Sequence, residues 1–191
     1  FLTGALILAN AWQAKVFADT ISIDLATDQG PVNRAVLGTN MLGNARVWSP
    51  LLNNWIARSH HVNGMGVWNE DTNVSVPEMV TFARNIGVSF VRFPGGGAAN
   101  WYNWKEAVGP IDQRAKYPTE ESTTLVPMTF GLSEFLRNAQ DIGAKPIITI
   151  SEYGGAAADA ADLVEYLNAP LGTNPNGGIE WARISETDGH P

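Results

Sequence analysis

Cysteine is absent from all 191 residues. That excludes a disulfide framework, a thiolate nucleophile and a cysteine–zinc site, and leaves the cellular compartment open. Basic residues are scarce: 12 Lys and Arg face 19 Asp and Glu, a net charge of −7. Neither a nucleic-acid backbone nor an anionic membrane surface is therefore an expected partner, whereas a neutral ligand such as a sugar suits the balance. Of the three histidines, His60 and His61 are adjacent and His190 stands alone. That spacing does not converge on a metal, and no metal is expected. A phosphate loop and a nucleophile elbow are also lacking. Gly95, Gly97 and Asn100 approach a dinucleotide-binding G-x-G-x-x-G, but the third glycine is Asn and an aromatic stretch follows it rather than a helix. No cofactor is expected.

The densest apolar run, Leu2 to Trp12, is shorter than the roughly 20 residues that span a bilayer. It is followed by Val16-Phe17-Ala18, with small or β-branched residues where a signal peptidase reads. Residues 1–18 are expected to be the remnant of a secretory leader, maturing before Asp19 and placing the protein outside the cytoplasm, secreted or periplasmic. An amphipathic first helix or a buried strand is the alternative. Asn73-Val74-Ser75 is a glycosylation sequon that matters only in a eukaryotic secretory host.

Beyond the leader, Thr20 to Leu25 alternates apolar and polar residues, the period of a half-buried strand, and Asp28 to Pro31 makes a turn. Ala35 to Asn40 reads as a buried parallel strand. Met41 to Asn73, rich in Asn, Gly and Trp, reads as a long loop with a short helix at Leu51 to Arg58. Ser75 and Glu78 stand at capping-box spacing around Pro77, before a helix with Met79, Val80, Phe82, Ala83 and Ile86 on one face. A strand over Val88 to Phe93, a helix over Leu132 to Ile142 stopped by Gly143, a strand over Lys145 to Ile150 and a helix over Ala156 to Leu167 follow. The last helix directs Ala160, Leu163, Val164 and Leu167 inward. The tail from Asn168 reads as loop. Strand–helix alternation requires a parallel sheet with right-handed crossovers. Its polar, glycine-rich segments follow the C-terminal strand ends, as a barrel site requires. The expected fold class is α/β, the first three β/α units of a TIM barrel.

Chemistry concentrates in two segments. In Arg92-Phe93-Pro94-Gly95-Gly96-Gly97, a cation near the end of a buried strand needs carboxylate or substrate oxygen partners. Gly96 and Gly97 let a ligand approach the backbone. Equally, the segment is a sharp strand exit with a structural arginine. In Trp101-Tyr102-Asn103-Trp104, rings and amides suit the C–H faces and hydroxyls of sugars, although Trp104 serves as well to anchor a loop. Asn40 and Glu152 stand just past the first and third strands, each able to bond a substrate hydroxyl or to cap a loop.

Together these residues resemble glycoside hydrolase family 51, the α-L-arabinofuranosidases. The similarity runs from about Val32 to Pro191. It takes in Arg92-Phe93-Pro94-Gly95-Gly96, Tyr102-Asn103-Trp104, Gly109-Pro110, Phe130-Gly131, Glu134-Phe135-Leu136, Gly143-Ala144-Lys145-Pro146, Val164 to Asn168, and Asp188-Gly189-His190-Pro191. The resemblance implies a barrel over residues 32–191, cut before strand 4, with residues 19–31 giving a strand to an accessory β-sandwich. It implies retaining hydrolysis of plant-type, arabinose-containing polysaccharide by two glutamates about 5 Å apart, both expected after Pro191. Substrate contacts would come from Arg92, which orders the nucleophile, and from Asn40, Gly96, Gly97, Trp104 and Glu152. Two positions depart from the family pattern: Asn40-Met41-Leu42-Gly43 stands where a Glu is usual, and Gly97 where Asn is usual. A non-catalytic carbohydrate-binding barrel, or another sugar specificity, is the alternative. With three β/α units and an open edge, the purified 191-residue chain is expected to be inactive. Measurable hydrolysis of any aryl glycoside by it would refute that expectation.

Overall fold

The computed structural model describes residues 30–31, 33–42, 46–49, 54–57, 66–118 and 124–189. The chain divides into two compact units, Phe1–Val32 and Asn33–Pro191. The expected leader and the strand at Thr20 to Leu25 lie outside the described residues.

The second unit is built on a parallel sheet of β1 (Gly38–Leu42), β6 (Phe90–Gly95) and β9 (Lys145–Ile148), with β6 central. Three two-stranded antiparallel ribbons flank it: β2 (Arg46–Ser49) with β3 (Asn54–Ala57), β4 (Trp68–Asn69) with β5 (Val74–Ser75), and β7 (Lys116–Pro118) with β8 (Leu125–Pro127). Helices α1 (Pro77–Asn85) and α2 (Leu132–Ile142) lie between successive sheet strands, the βαβ arrangement expected for parallel pairing. Helices α3 (Ala157–Asn168) and α4 (Trp181–Thr187) follow β9.

Several expectations shift. The first strand starts at Gly38 rather than Ala35, because the Asn33 side chain accepts the Ala35 amide at 3.0 Å and turns Arg34–Val36 into a 3-10 helix. The helix expected at Leu51 to Arg58 is instead strand β3, in keeping with the strand preference of Trp and Ile. Ser75 does not cap α1. It ends β5, buried, and its hydroxyl accepts the Asn138 amide at 2.9 Å, so α1 begins without a side-chain cap. The tail contains a helix, α4, whose first amide, on Trp181, is taken by the buried Glu165 carboxylate at 3.0 Å. That partner lies 16 residues back, outside any local pattern. In α3 Leu163 is buried and Leu167 packs against the core as expected, Glu165 and Tyr166 are buried as well, and Val164 is exposed.

The helix side of the sheet holds the core. Phe93 is fully buried, stacked on Phe135 at 5.0 Å and edge-on to Tyr102 and Phe130 at 5.2 and 5.6 Å. Helix α2 supplies Leu132, Phe135 and Ala139 at helical spacing and ends at Gly143 in the left-handed conformation (φ 82°). In contrast, the strands expected to be buried on both faces are open on the other: Gly38, Asn40, Arg92, Lys145 and Ile147 are exposed. Met79, Phe82 and Ile86 of α1, expected to be inward, are also exposed and border an apolar groove with Val67, Val88 and Ile142.

Gly131 caps α2 against the Ala107 carbonyl, where a Cβ would come within 1.9 Å of that oxygen. Nothing stands within 4 Å of a Cβ at Gly97. In denaturant unfolding, Gly131→Ala is expected to cost about 3 kcal/mol or abolish soluble expression. Gly97→Ala is expected to change stability by less than about 1 kcal/mol. Equal effects would refute the packing at Gly131.

Candidate functional site

Asn40, expected just past the first strand, lies within β1, and Arg92 lies within β6, while Gly96, Gly97 and Glu152 follow the strands. Asn40 of β1 is the register partner of Arg92 in β6, and Arg92 in turn pairs with Ile147 of β9. Register partners in adjacent strands point to one face, and here it is the open one, since Val91 and Phe93 on either side of Arg92 are buried. Arg92 is not held by a carboxylate. It is exposed, and its side chain makes no hydrogen bond or ion pair with a described residue. Beyond it the Phe93–Pro94 peptide is cis, and Gly95 lies so near β1 that a Cβ would stand 2.8 Å from Asn40 Cβ. Gly96 (φ 62°) and Gly97 then open the 3-10 helix Gly96–Trp101 at the surface.

Trp104 and Glu152 belong to a second cluster. Both line a cavity of about 290 Å³ beside the end of β9, with Asn103, Lys105, Thr149, Ser151 and Ala156. Glu152 is exposed at its mouth. Trp104 lies on the wall, only 6% exposed, packed on Trp181 and Tyr166 at 4.8 and 5.5 Å, with its indole N–H donating to the Asp159 carbonyl. Lys105 closes the floor, donating to Asp159 and Asp162 at 2.6 Å each and lying 5.2 Å from the Trp181 ring. Burial pulls Lys105 down, yet the bonds to the two aspartates outweigh it and hold its pKa above the ordinary lysine value. Asp159 is lowered, by the Lys105 bond first and the Ala156 amide second.

Supporting groups come from residues to which the sequence reading gave no role. Arg114 and Glu134, each 2% exposed in the side chain, form a two-bond pair at 3.0 and 3.0 Å. Arg114 also donates to the Gly109 and Met128 carbonyls, and Glu134 accepts the Gly131 amide. Asp188 accepts from the Gly109 amide at 3.0 Å and the Tyr166 hydroxyl at 2.7 Å. Burial pushes that hydroxyl well above the usual phenol range, so Tyr166 stays a neutral donor. No local pattern signals partners 20 or 79 residues apart. The one hint is Glu134 at the third position of α2, where a side chain can reach back to the cap amide. Among the described residues no cluster of three or more His, Asp or Glu could hold a metal, and no helix is long and apolar enough to cross a membrane.

A parallel β/α sheet whose glycine-rich and polar loops all leave its C-terminal edge is the framework of an α/β enzyme with its site on that edge. A sequence model described as the alpha-L-arabinofuranosidase 1 domain matches residues 82–191, and the chain belongs to this family. Relatives include the intracellular exo-alpha-(1->5)-L-arabinofuranosidases of Streptomyces lividans, 33% identical over 98 residues, and Halalkalibacterium halodurans, 33% over 97 residues. Each match covers 50% of this chain, which spans only 15% and 19% of those proteins. The fold matches that of a thermostable GH51 alpha-L-arabinofuranosidase from Thermotoga petrophila, with TM-score 0.56 and 24% identity, covering 84% of this chain and 30% of that one. The expectation of a secreted or periplasmic protein is overturned, because these curated relatives, and one from Acetivibrio thermocellus, are named intracellular.

The cavity floor should be sensitive to acid. A carboxylate with a lowered pKa contributes stability above its ordinary value, near 3.9, and loses it as pH falls through the lower folded value. Acid titration followed by tryptophan fluorescence should show a Lys105–Asp159 component below about pH 4 that Asp159→Asn removes. A component removed by that substitution but centred near pH 6 would contradict the assignment.

Proposed function

We propose that the protein carrying this chain is a retaining α-L-arabinofuranosidase, with residues 32–191 forming the first three β/α units of its barrel and residues 19–31 lending a strand to an accessory sandwich. The open sheet face is then the inner wall of the barrel. Asn40 and Arg92 stand side by side on that wall in adjacent strands, and this juxtaposition carries the reading. They meet substrate and reacting carboxylate from one side, with Gly96, Gly97 and Glu152 on the adjoining loops. In the hydrolysis itself one glutamate protonates the glycosidic oxygen as the other attacks the anomeric carbon. Water then releases arabinose from the glycosyl-enzyme. Both glutamates are assigned to the part of the protein after Pro191. Arg92, a cation whose side chain bonds no described residue, orders and stabilises the nucleophile's carboxylate. The names of the relatives support a carbohydrate of this class as the substrate.

The test is an assay of the full-length protein on a panel of 4-nitrophenyl glycosides. Release from the α-L-arabinofuranoside is expected. Arg92→Ala should lower kcat/KM by about 100-fold, or ~2.7 kcal/mol, with unfolding unchanged, because the side chain bonds nothing in the described fold. A folded full-length protein that leaves the arabinofuranoside intact would overturn the proposal.

A further inference from the structure

The sequence offered Trp104 as a ring to carry a sugar, but the fold buries it in a wall, packed on Trp181 and Tyr166. Two other aromatics occupy the outer rim. Trp101 ends the 3-10 helix after β6 and is 44% exposed. Tyr153 follows Glu152 in the loop after β9 and is 76% exposed. Their rings meet edge to face, with centroids 4.9 Å apart and planes at 71°. Large apolar rings left this open to water need a reason.

The two loops are clipped together behind the rings. The Ser151 hydroxyl donates to the Asn100 carbonyl at 2.7 Å, and the Gly154 amide donates back to Ser151 Oγ at 3.0 Å. Asn100 precedes Trp101 and Gly154 follows Tyr153, so Ser151 ties the backbone beside one ring to the backbone beside the other. Such preorganisation lowers the ordering cost of binding. The neighbouring groups are polar: Glu152 precedes Tyr153, and the Ser151–Glu152 and Asn103 side of the cavity begins beside the pair. Exposed aromatic faces set at an angle and bordered by hydrogen-bonding groups match one ligand chemistry above others, a sugar ring with C–H groups on its face and hydroxyls at its edge. The pair lies on the loops after β6 and β9, whereas Asn40 and Arg92 lie within strands.

We propose that Trp101 and Tyr153 form a stacking platform for the sugar unit of the polymer that bears the arabinofuranosyl group, on the leaving-group side of the cleaved bond. This rests on the glycosidase reading for its position and extends it to the part of the substrate that does not react. Binding energy from a remote sugar tightens recognition of the polymer without acting on the aryl glycoside, which lacks that sugar.

The test compares two substrates in the full-length protein. Trp101→Ala and Tyr153→Ala should each lower kcat/KM about tenfold on an arabinofuranosyl-substituted xylo-oligosaccharide, mainly through KM, since one stacked ring contributes on the order of the ~1.4 kcal/mol that a factor of ten represents. On 4-nitrophenyl α-L-arabinofuranoside the change should stay below about twofold, and Trp101→Phe should recover most of the loss. Equal losses on both substrates, or none on either, would overturn the platform. Migration in a native gel containing arabinoxylan provides a readout independent of hydrolysis. Retardation of the wild type that Trp101→Ala relieves supports the platform even if the protein cleaves nothing, in which case only the glycosidase reading falls. Equal migration of the two proteins overturns the platform whatever the activity.

Discussion

The buried pairing of Arg114 with Glu134 is the constraint around which the described fold is arranged. Taking two charges out of water costs several kcal/mol per ion unless the geometry is close and the remaining donors and acceptors are met. Here they are met: the guanidinium reaches two carboxylate oxygens and the Gly109 and Met128 carbonyls, and the carboxylate also takes the Gly131 amide. Those partners belong to the loop after Trp104–Ala107, the exit of β8 and the start of α2. One pair thus fastens the long excursion between β6 and α2 to the first turn of that helix. Asp188 extends the fastening by holding the Gly109 amide and the Tyr166 hydroxyl, which brings in α3 and the end of α4.

With the excursion fixed, the segment 101–105 has little freedom, and its two tryptophans separate. Trp104 is drawn into the wall shared with Tyr166 and Trp181, while Trp101 stays outside against Tyr153. Lys105 next to Trp104 is then within reach of both aspartates of α3. The cavity near Glu152 is consequently bounded by groups from the loop after β6, the loop after β9 and the first turns of α3. The sheet contributes differently. Its helix side is filled around Phe93, and its other side displays Asn40, Arg92 and Ile147 in one row. A parallel strand in a complete α/β fold is covered on both faces, so this row is where the further strands of the proposed barrel would close.

Much of this was legible along the chain. The α2 helix, its glycine stop and the strands around Val91 and Ile147 follow from periodicity and punctuation, and the order of motifs pointed to the family that the match over residues 82–191 establishes. Where the reading failed, the deciding interaction was distant in sequence or competed locally with the pattern. Asn33 turned the first expected strand into a 3-10 helix before β1. Asn138 took the hydroxyl of Ser75. Glu165 capped a helix where composition suggested loop. The location inferred from Val16-Phe17-Ala18 failed for a further reason, since a short apolar run with small residues after it is not specific to secretory leaders.

By itself, then, the sequence determined the alternation of strand and helix, the parallel sheet this requires, and the placing of Gly96, Gly97 and Glu152 after strand ends. These are local properties, set by side-chain period, by glycine and proline, and by the handedness of crossovers. Only the tertiary structure decided which ring is wall and which is surface, that Arg92 is exposed and pairs with no carboxylate among the described residues while Arg114 is buried with one, and which acids brace the rim. Those outcomes depend on partners tens of residues away. Burial and pairing are properties of the packed chain, where the cost of desolvating each group is weighed against contacts that no local window contains.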